Sequence, residues 1–258
     1  MRAVWLTAGA VATVIALLVS TTLLWRGFAR ARTPVDIERR SIPFTKDKVE
    51  IKAVAGQVDL VIMFGQAGEL LINRTLRWSR DRPDVTEDWD AASSTLRLEA
   101  SCPRDDQPDG PLCQADYVIF VPPETDIVAG TTSGRLIVNE LFGSLRLTSV
   151  SGDIHLSGVA GPVWARTGTG TIEGERLDGE QADVEVGSGE VDLSFSRPPK
   201  SVRAVVRTTG DVSVTVPPGS YDVNVEAADT TFDIKMVKGA PRKIVAEAPS
   251  GSVSLCCR

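Results

Sequence analysis

The residues of this 258-residue sequence that could do acid–base chemistry are few, and two of them share a spacing. Glu173 and Asp192 each stand three residues after a glycine, Gly170 and Gly189, in the phrases TGTGTIEG and GSGEVDL. On neighbouring strands they would sit about 5 Å apart on one outer face, a separation comparable to that of the two carboxylates of a retaining glycosidase. A solvated sheet face is the plainer reading, because His155 and Asp233 occupy the same place in their own phrases and Ser213 interrupts the column. His155 is the only histidine, which removes multi-histidine metal sites, and no G-x-S-x-G elbow accompanies it. Nucleotide-binding glycine loops need a following helix, and strands follow here. No catalytic residue, metal or cofactor is expected.

Recognition has better candidates. Trp164 falls at an outward strand position beside Arg146 and Arg166, and exposed aromatic rings flanked by donors stack on sugars or anchor a partner. With His155 close to them, these four residues are grouped as a candidate ligand face. A Trp that only covers the adjacent Gly-Pro turn is the alternative.

What must position these residues is a repeat. The phrases SGDI, SGEV, TGDV and SGSV align on Gly134, Gly152, Gly170, Gly189, Gly210, Thr230 in place of glycine, and Gly251, at spacings of 18, 18, 19, 21, 20 and 21 residues. Apolar residues alternate on both sides, as Val163 and Ala165 before Gly170, or Val191 and Leu193 after Gly189. Each coil is therefore strand, tight glycine turn, strand, second turn, with glycine admitting positive φ. The coil before Gly210 slips by one residue, to Ala204 and Val206, which reads as a bulge. Gly56 opens one earlier copy, about four coils' worth of chain before Gly134. Stacked coils bury each other's apolar faces, so the expected fold is all-β, a single-stack β-solenoid with two strands per coil of about 20 residues.

Composition agrees: hydrophobic residues make up 42% and aromatics only 5%, with Gly, Val, Thr and Ser plentiful. The first forty residues carry a net charge of +4 and the rest −10, which disfavours nucleic acid as a partner. Val4 to Trp25 is free of charge for 22 residues, about 33 Å as a helix, and reads as a transmembrane helix rather than a cleaved signal peptide. The expected organisation is an anchor at 1–26, a basic juxtamembrane linker at 27–44 and a solenoid domain at 45–255. Residues 45–123 form its irregular, capping first part and 124–255 its regular coils.

Arginines after the span favour a cytoplasmic body, whereas the cysteines favour the outside. Cys102 and Cys113 flank a Pro- and Asp-rich loop between two alternating segments, where a disulfide would close a hairpin. A reduced or metal-bound pair is the other reading. Cys256 and Cys257, adjacent at the end, have no physical account. An extracytoplasmic body is the expectation adopted.

The SGDI-type phrases, the preceding apolar span and the Cys102–Cys113 loop leading into DYVIFVPP resemble a family of bacterial membrane-anchored β-strand-repeat domains of unknown function, known as "putative adhesins". The resemblance covers roughly residues 45–255 and implies a solenoid without a catalytic signature. The function expected is a non-enzymatic, membrane-tethered cell-surface adhesin or envelope interaction module, meeting a cell-wall glycan or surface protein. A carbohydrate-active β-helix enzyme using Glu173 and Asp192, and an envelope-stress sensor or scaffold that self-associates, are the alternatives.

Overall fold

The structure, a computed structural model, describes residues 13–24, 34–102 and 112–257, the side chains of 54–57 apart. Among the described residues nineteen strands follow helical residues 13–24. The first part holds β1 (Val35–Pro43), β2 (Lys48–Phe64), β3 (Glu69–Trp78), β4 (Asp84–Asp90), β5 (Thr95–Ser101) and β6 (Cys113–Val121). The regular part holds β7 (Asp126–Ser133), β8 (Leu136–Asn139), β9 (Leu145–Ser151), β10 (Ile154–Ser157), β11 (Val163–Thr169), β12 (Ile172–Leu177), β13 (Gln181–Ser188), β14 (Val191–Phe195), β15 (Ser201–Val206) and β16 (Val212–Val216). The chain closes with β17 (Ser220–Asp233), β18 (Lys235–Met236) and β19 (Lys243–Cys257).

Strands before the marker glycines pair in parallel with one another, β7–β9–β11–β13–β15, and form a front wall. Strands after them, β8–β10–β12–β14–β16, form a back wall in the same manner. Alternation then puts every second side chain inside: Leu145, Val163, Ala182 and Val202 stack down one inner column, facing Leu136, Ile154, Ile172 and Val191. β2, β17 and β19 run through the corner and belong to both walls.

The corner explains the repeated wording. Gly134, Gly152, Gly170, Gly189 and Gly210 have φ between 98° and 152°, and a Cβ on each from Gly152 onward would come within 1.7–2.6 Å of the preceding marker's carbonyl oxygen. Gly251 lacks the positive φ, yet its Cβ would lie 1.9 Å from the Gly210 oxygen. Close backbone stacking, as much as backbone conformation, demands glycine. The Asp of SGD and TGD has its own role: Asp153 Oδ1 accepts the Thr171 N–H at 2.8 Å and Asp211 Oδ1 accepts the Ser252 N–H at 2.7 Å. Each carboxylate thus satisfies the amide after the next coil's marker, and these hydrogen bonds hold the Asp211 carboxyl below its ordinary range.

Several expectations are corrected. Among the described residues no helix is long and apolar enough to cross a membrane. Of the expected Val4–Trp25 span the structure describes residues 13–24, which are helical, and the remainder lies outside the described residues. Part of the expected 27–44 linker is strand β1, paired antiparallel with β3. The coil of β2 does not stand four coils from Gly134; it stacks directly on β7 and β8, with β5 and β6 on its other side. Gly56 is out of the marker row, because two extra residues between Ala53 and Gln57 bring Val58 opposite Gly134. At the other end β19 inserts between the β15–β16 coil and β17. There Asp229 pairs with Ser252, so Thr230 does not take the marker position either. β15 keeps register with β13 throughout, and the extra residue before Gly210 is absorbed in the bend at 207–209.

The irregular first part closes one end of the core. β3 and β1 extend the back wall antiparallel, and the β4–β5 hairpin extends the front wall. Between them Arg74 points inward, 8% exposed, with its guanidinium 2.8 Å from Glu87 on β4 and bound to Glu38 on β1. This ion pair bridges the two walls where the aliphatic stack ends. Burial pushes the adjacent Tyr117 hydroxyl well above its ordinary pKa. Cys102 and Cys113 are joined by a disulfide.

Candidate functional site

The expected ligand face divides in two. Trp164 and Arg166 on β11 and Arg146 on β9 stand on the outside of the front wall, whereas His155 on β10 stands on the outside of the back wall. The residues on either side of the marker corner face opposite directions, so the grouping of His155 with the other three is corrected.

On the front wall the register places Glu50, Val128, Arg146, Trp164, Asp183 and Arg203 in one outward row across six strands. The small side chains of Val128 and Ser144 leave a trough beside the tall Arg146–Trp164 pair. Two depressions of about 570 and 610 Å³ result, within the range of small-molecule sites of about 300–1,000 Å³. Both share Lys48, Val128 and Arg146 in their lining; the first also takes in Trp164 and Arg203, the second Lys46 and Ser93.

The Arg146 guanidinium carbon lies 3.8 Å from the centre of the Trp164 ring and that of Arg166 lies 4.5 Å from it. Stacking of this kind orients a guanidinium while leaving its in-plane donors available. The two arginines then differ. Arg166 is bound to Asp183 Oδ1 at 2.9 Å and to the Asp183 carbonyl at 2.7 Å, with Glu185 at 3.6 Å. Arg146 makes neither hydrogen bond nor ion pair among the described residues. Below Trp164 the charges alternate: Arg203 reaches Asp183 and Glu185 at 3.4 and 3.3 Å, and Arg207 holds Glu185 through two bonds of 2.6 and 2.9 Å. Arg207 first, then Arg203, keep the Glu185 carboxyl below its ordinary range against the opposing effect of burial.

The back wall carries the carboxylate column. His155 Nδ1 is 2.8 Å from Glu173 Oε2, and Glu173 stands opposite Asp192 on the next rung. Burial, and next the negative charge of Glu173, raise the Asp192 carboxyl above its ordinary range. Ile137 above and Ser213 below complete the column. Among the described residues no group of three or more His, Cys, Asp or Glu side chains could hold a metal. Cys256 continues this wall, with its sulfur 3.2 Å from Thr215 Oγ1, and Cys257 is exposed; both are free thiols.

Lys48 and Arg203 are the site residues that spacing alone missed. Lys48 immediately precedes Val49 as Asp126 precedes Ile127, a signal present in the phrase, but only the adjacency of β2 and β7 brings it to the trough. Arg203 lies in the coil whose offset obscured its register.

No protein-family model matches the chain, and no curated protein matches it. Solved structures do. One named a putative adhesin from Bacteroides fragilis is similar with a TM-score of 0.48 and 14% identity, covering 85% of this chain and 97% of that one. One named a putative adhesin from Parabacteroides merdae gives 0.44 and 11%, covering 85% and 96%. One named a putative cell adhesion protein from Clostridium sporogenes gives 0.31 and 11%, covering 86% and 100%. These names are those of the family that the SGD-type phrases resemble, and none is the name of an enzyme.

Proposed function

We propose that this protein is a non-enzymatic, extracytoplasmic adhesin-type module that binds its ligand in the front-wall trough beside Trp164. The observation that carries the proposal is the trough itself, two contiguous depressions flanked by a stacked Trp–Arg pair on a rigid parallel sheet. A site on strands needs no induced order, so little of its binding energy is lost to fixing side chains. The Cys102–Cys113 disulfide supports an oxidising compartment.

The carboxylate pair is a weaker basis for function. Glu173 and Asp192 project from the same face of adjacent rungs, and Glu173 is engaged by His155, an arrangement that favours a solvated sheet face over an acid and a nucleophile set about a glycosidic bond. End-to-end stacking of the front walls is disfavoured too, since their end strands β4 and β17 both carry acidic residues there, Asp84, Asp88 and Asp90 on one and Asp222 and Glu226 on the other.

The purified chain should bind a subset of immobilised cell-envelope glycans or surface proteins without turning them over. Trp164→Ala should weaken that binding tenfold or more, about 1.4 kcal/mol, while Glu173→Gln leaves it intact. Release of glycan fragments that disappears in Glu173→Gln would overturn the proposal.

A further inference from the structure

We infer that the front-wall trough selects an acidic glycan, one whose carboxylate or phosphate groups are received by Arg146 and Lys48. The inference rests on the trough being the binding site and adds the class of ligand.

The argument begins with which charges are already used. Four cations line the two depressions. Lys46 donates to the carbonyls of Ala91 and Ala92, both at 2.8 Å. Arg203 faces Asp183 and Glu185. Lys48 and Arg146 have no hydrogen bond or ion pair among the described residues, and they are the two cations common to both depressions.

Three of the four carboxylates that line the depressions are satisfied. Asp126 Oδ1 accepts the Ser144 N–H at 2.8 Å, Glu50 is paired with Lys52 at 2.9 Å, with Lys48 acting on it only through space, and Asp183 is held by Arg166 and Arg203. The fourth, Asp47, has no hydrogen bond or ion pair of its side chain among the described residues. A guanidinium held flat on an indole with its donors unspent is arranged for planar or tetrahedral oxyanions. The net charge of −6 does not cancel this local field, because the Debye length is about 8 Å at physiological ionic strength.

The same stack argues against a neutral sugar as the main partner. With Arg146 at 3.8 Å and Arg166 at 4.5 Å, the Trp164 ring is engaged by arginines of its own sheet, so its contribution is to hold Arg146. Peptide recognition by strand addition is closed as well. The front-wall strands under the trough, β2, β7, β9, β11, β13 and β15, are each hydrogen-bonded on both sides and offer no free backbone edge there. What the lining does offer are Ser93, Ser144, Gln181 and Ser201, hydroxyls and an amide suited to a polyol chain that crosses several rungs.

The test uses the full chain and four polymers: polygalacturonate, its methyl ester, poly(glycerol phosphate) and a neutral β-glucan, measured by titration calorimetry. At least one acidic polymer should bind, and the tighter of the two identifies whether carboxylate or phosphate is the native group. Methyl esterification should weaken uronate binding tenfold or more, as should Arg146→Gln and Lys48→Gln separately. Arg146→Lys should fall between, retaining charge but losing the planar fork. Both residues are on the surface, so thermal unfolding of the variants should match the parent. Equal binding of ester and acid, or of parent and both Gln variants, overturns the inference. If a neutral glycan binds and Trp164→Ala abolishes that binding, the trough stands as the site and only its anion selectivity is lost. If an acidic polymer binds and neither Trp164→Ala nor Arg146→Gln affects it, both fall together.

Discussion

The two outer faces of this solenoid are wound from the same coils, rung for rung, and yet they have different chemistry. On the front wall, neighbouring rungs place opposite charges side by side, Arg166 against Glu185 and Asp183 against Arg203, and a step in side-chain size beside Trp164 opens a trough. On the back wall the corresponding column reads Ile137, His155, Glu173, Asp192, Ser213 and Ser254, with like charges adjacent. In a parallel ladder each residue meets the residue at its own position in the next coil, so a single substitution changes two cross-strand pairs at once. A polar column is therefore either alternated in sign or diluted with serine and threonine, and only the first pattern organises cations for recognition.

The largest effects should come from what the walls share. Gly189→Ala drives a Cβ to 1.9 Å from the Gly170 carbonyl oxygen at the corner joining them, and should cost about 4 kcal/mol or more in urea unfolding, abolishing both faces. Gly239→Ala, at a positive φ with open space around it, should cost only about 1 kcal/mol, which separates crowding from conformation.

Arg74→Ala comes next. It removes the inner ion pair that ties β3 of the back wall to β4 of the front wall and strands Glu87, 11% exposed, without a counter-ion. A loss of about 3 kcal/mol is expected, and hydrogen exchange should show it first in β4 and β5.

The smallest effect sharpens the contrast between faces. Asp192→Asn should stabilise the protein by about 0.5 kcal/mol at pH 7, by relieving a like-charge pair. The sign with pH is definite. Asp192 has a raised folded-state pKa, so its ionisation weakens the fold as pH rises through the carboxylate range, and the benefit of Asn should vanish below that range. Glu185 on the front wall is depressed, so its contribution is present above the unfolded value and is lost as pH falls through the lower folded value. Glu185→Gln should therefore destabilise at pH 7 and be neutral in acid, the reverse of Asp192→Asn. Matching pH slopes for the two variants would remove the distinction between the walls.

Much of this was legible from local pattern. Alternation about each glycine told inward from outward residues, because that choice is made within one strand by its period of two. The aliphatic columns and the pairing of Glu173 with Asp192 follow directly. The expected membrane span is not carried by the described residues: hydropathy was read along 22 residues, and among the described ones, which include only 13–24 of that stretch, no helix is long and apolar enough to cross a membrane. His155 was misplaced because distance along the chain ignores the corner: nine residues separate it from Trp164, and a wall lies between them.

Repeat spacing and alternation, which are local, determined the coil, its buried columns and the need for small residues at the corner. Which coil lies beside which at the ends was decided only in three dimensions. β2 slots between β6 and β8, and β19 between β16 and β17, because an unpaired strand edge accepts whichever segment best continues its hydrogen-bond ladder, irrespective of order in the chain. The trough depends on that insertion, since Lys48 reaches Arg146 only across β7.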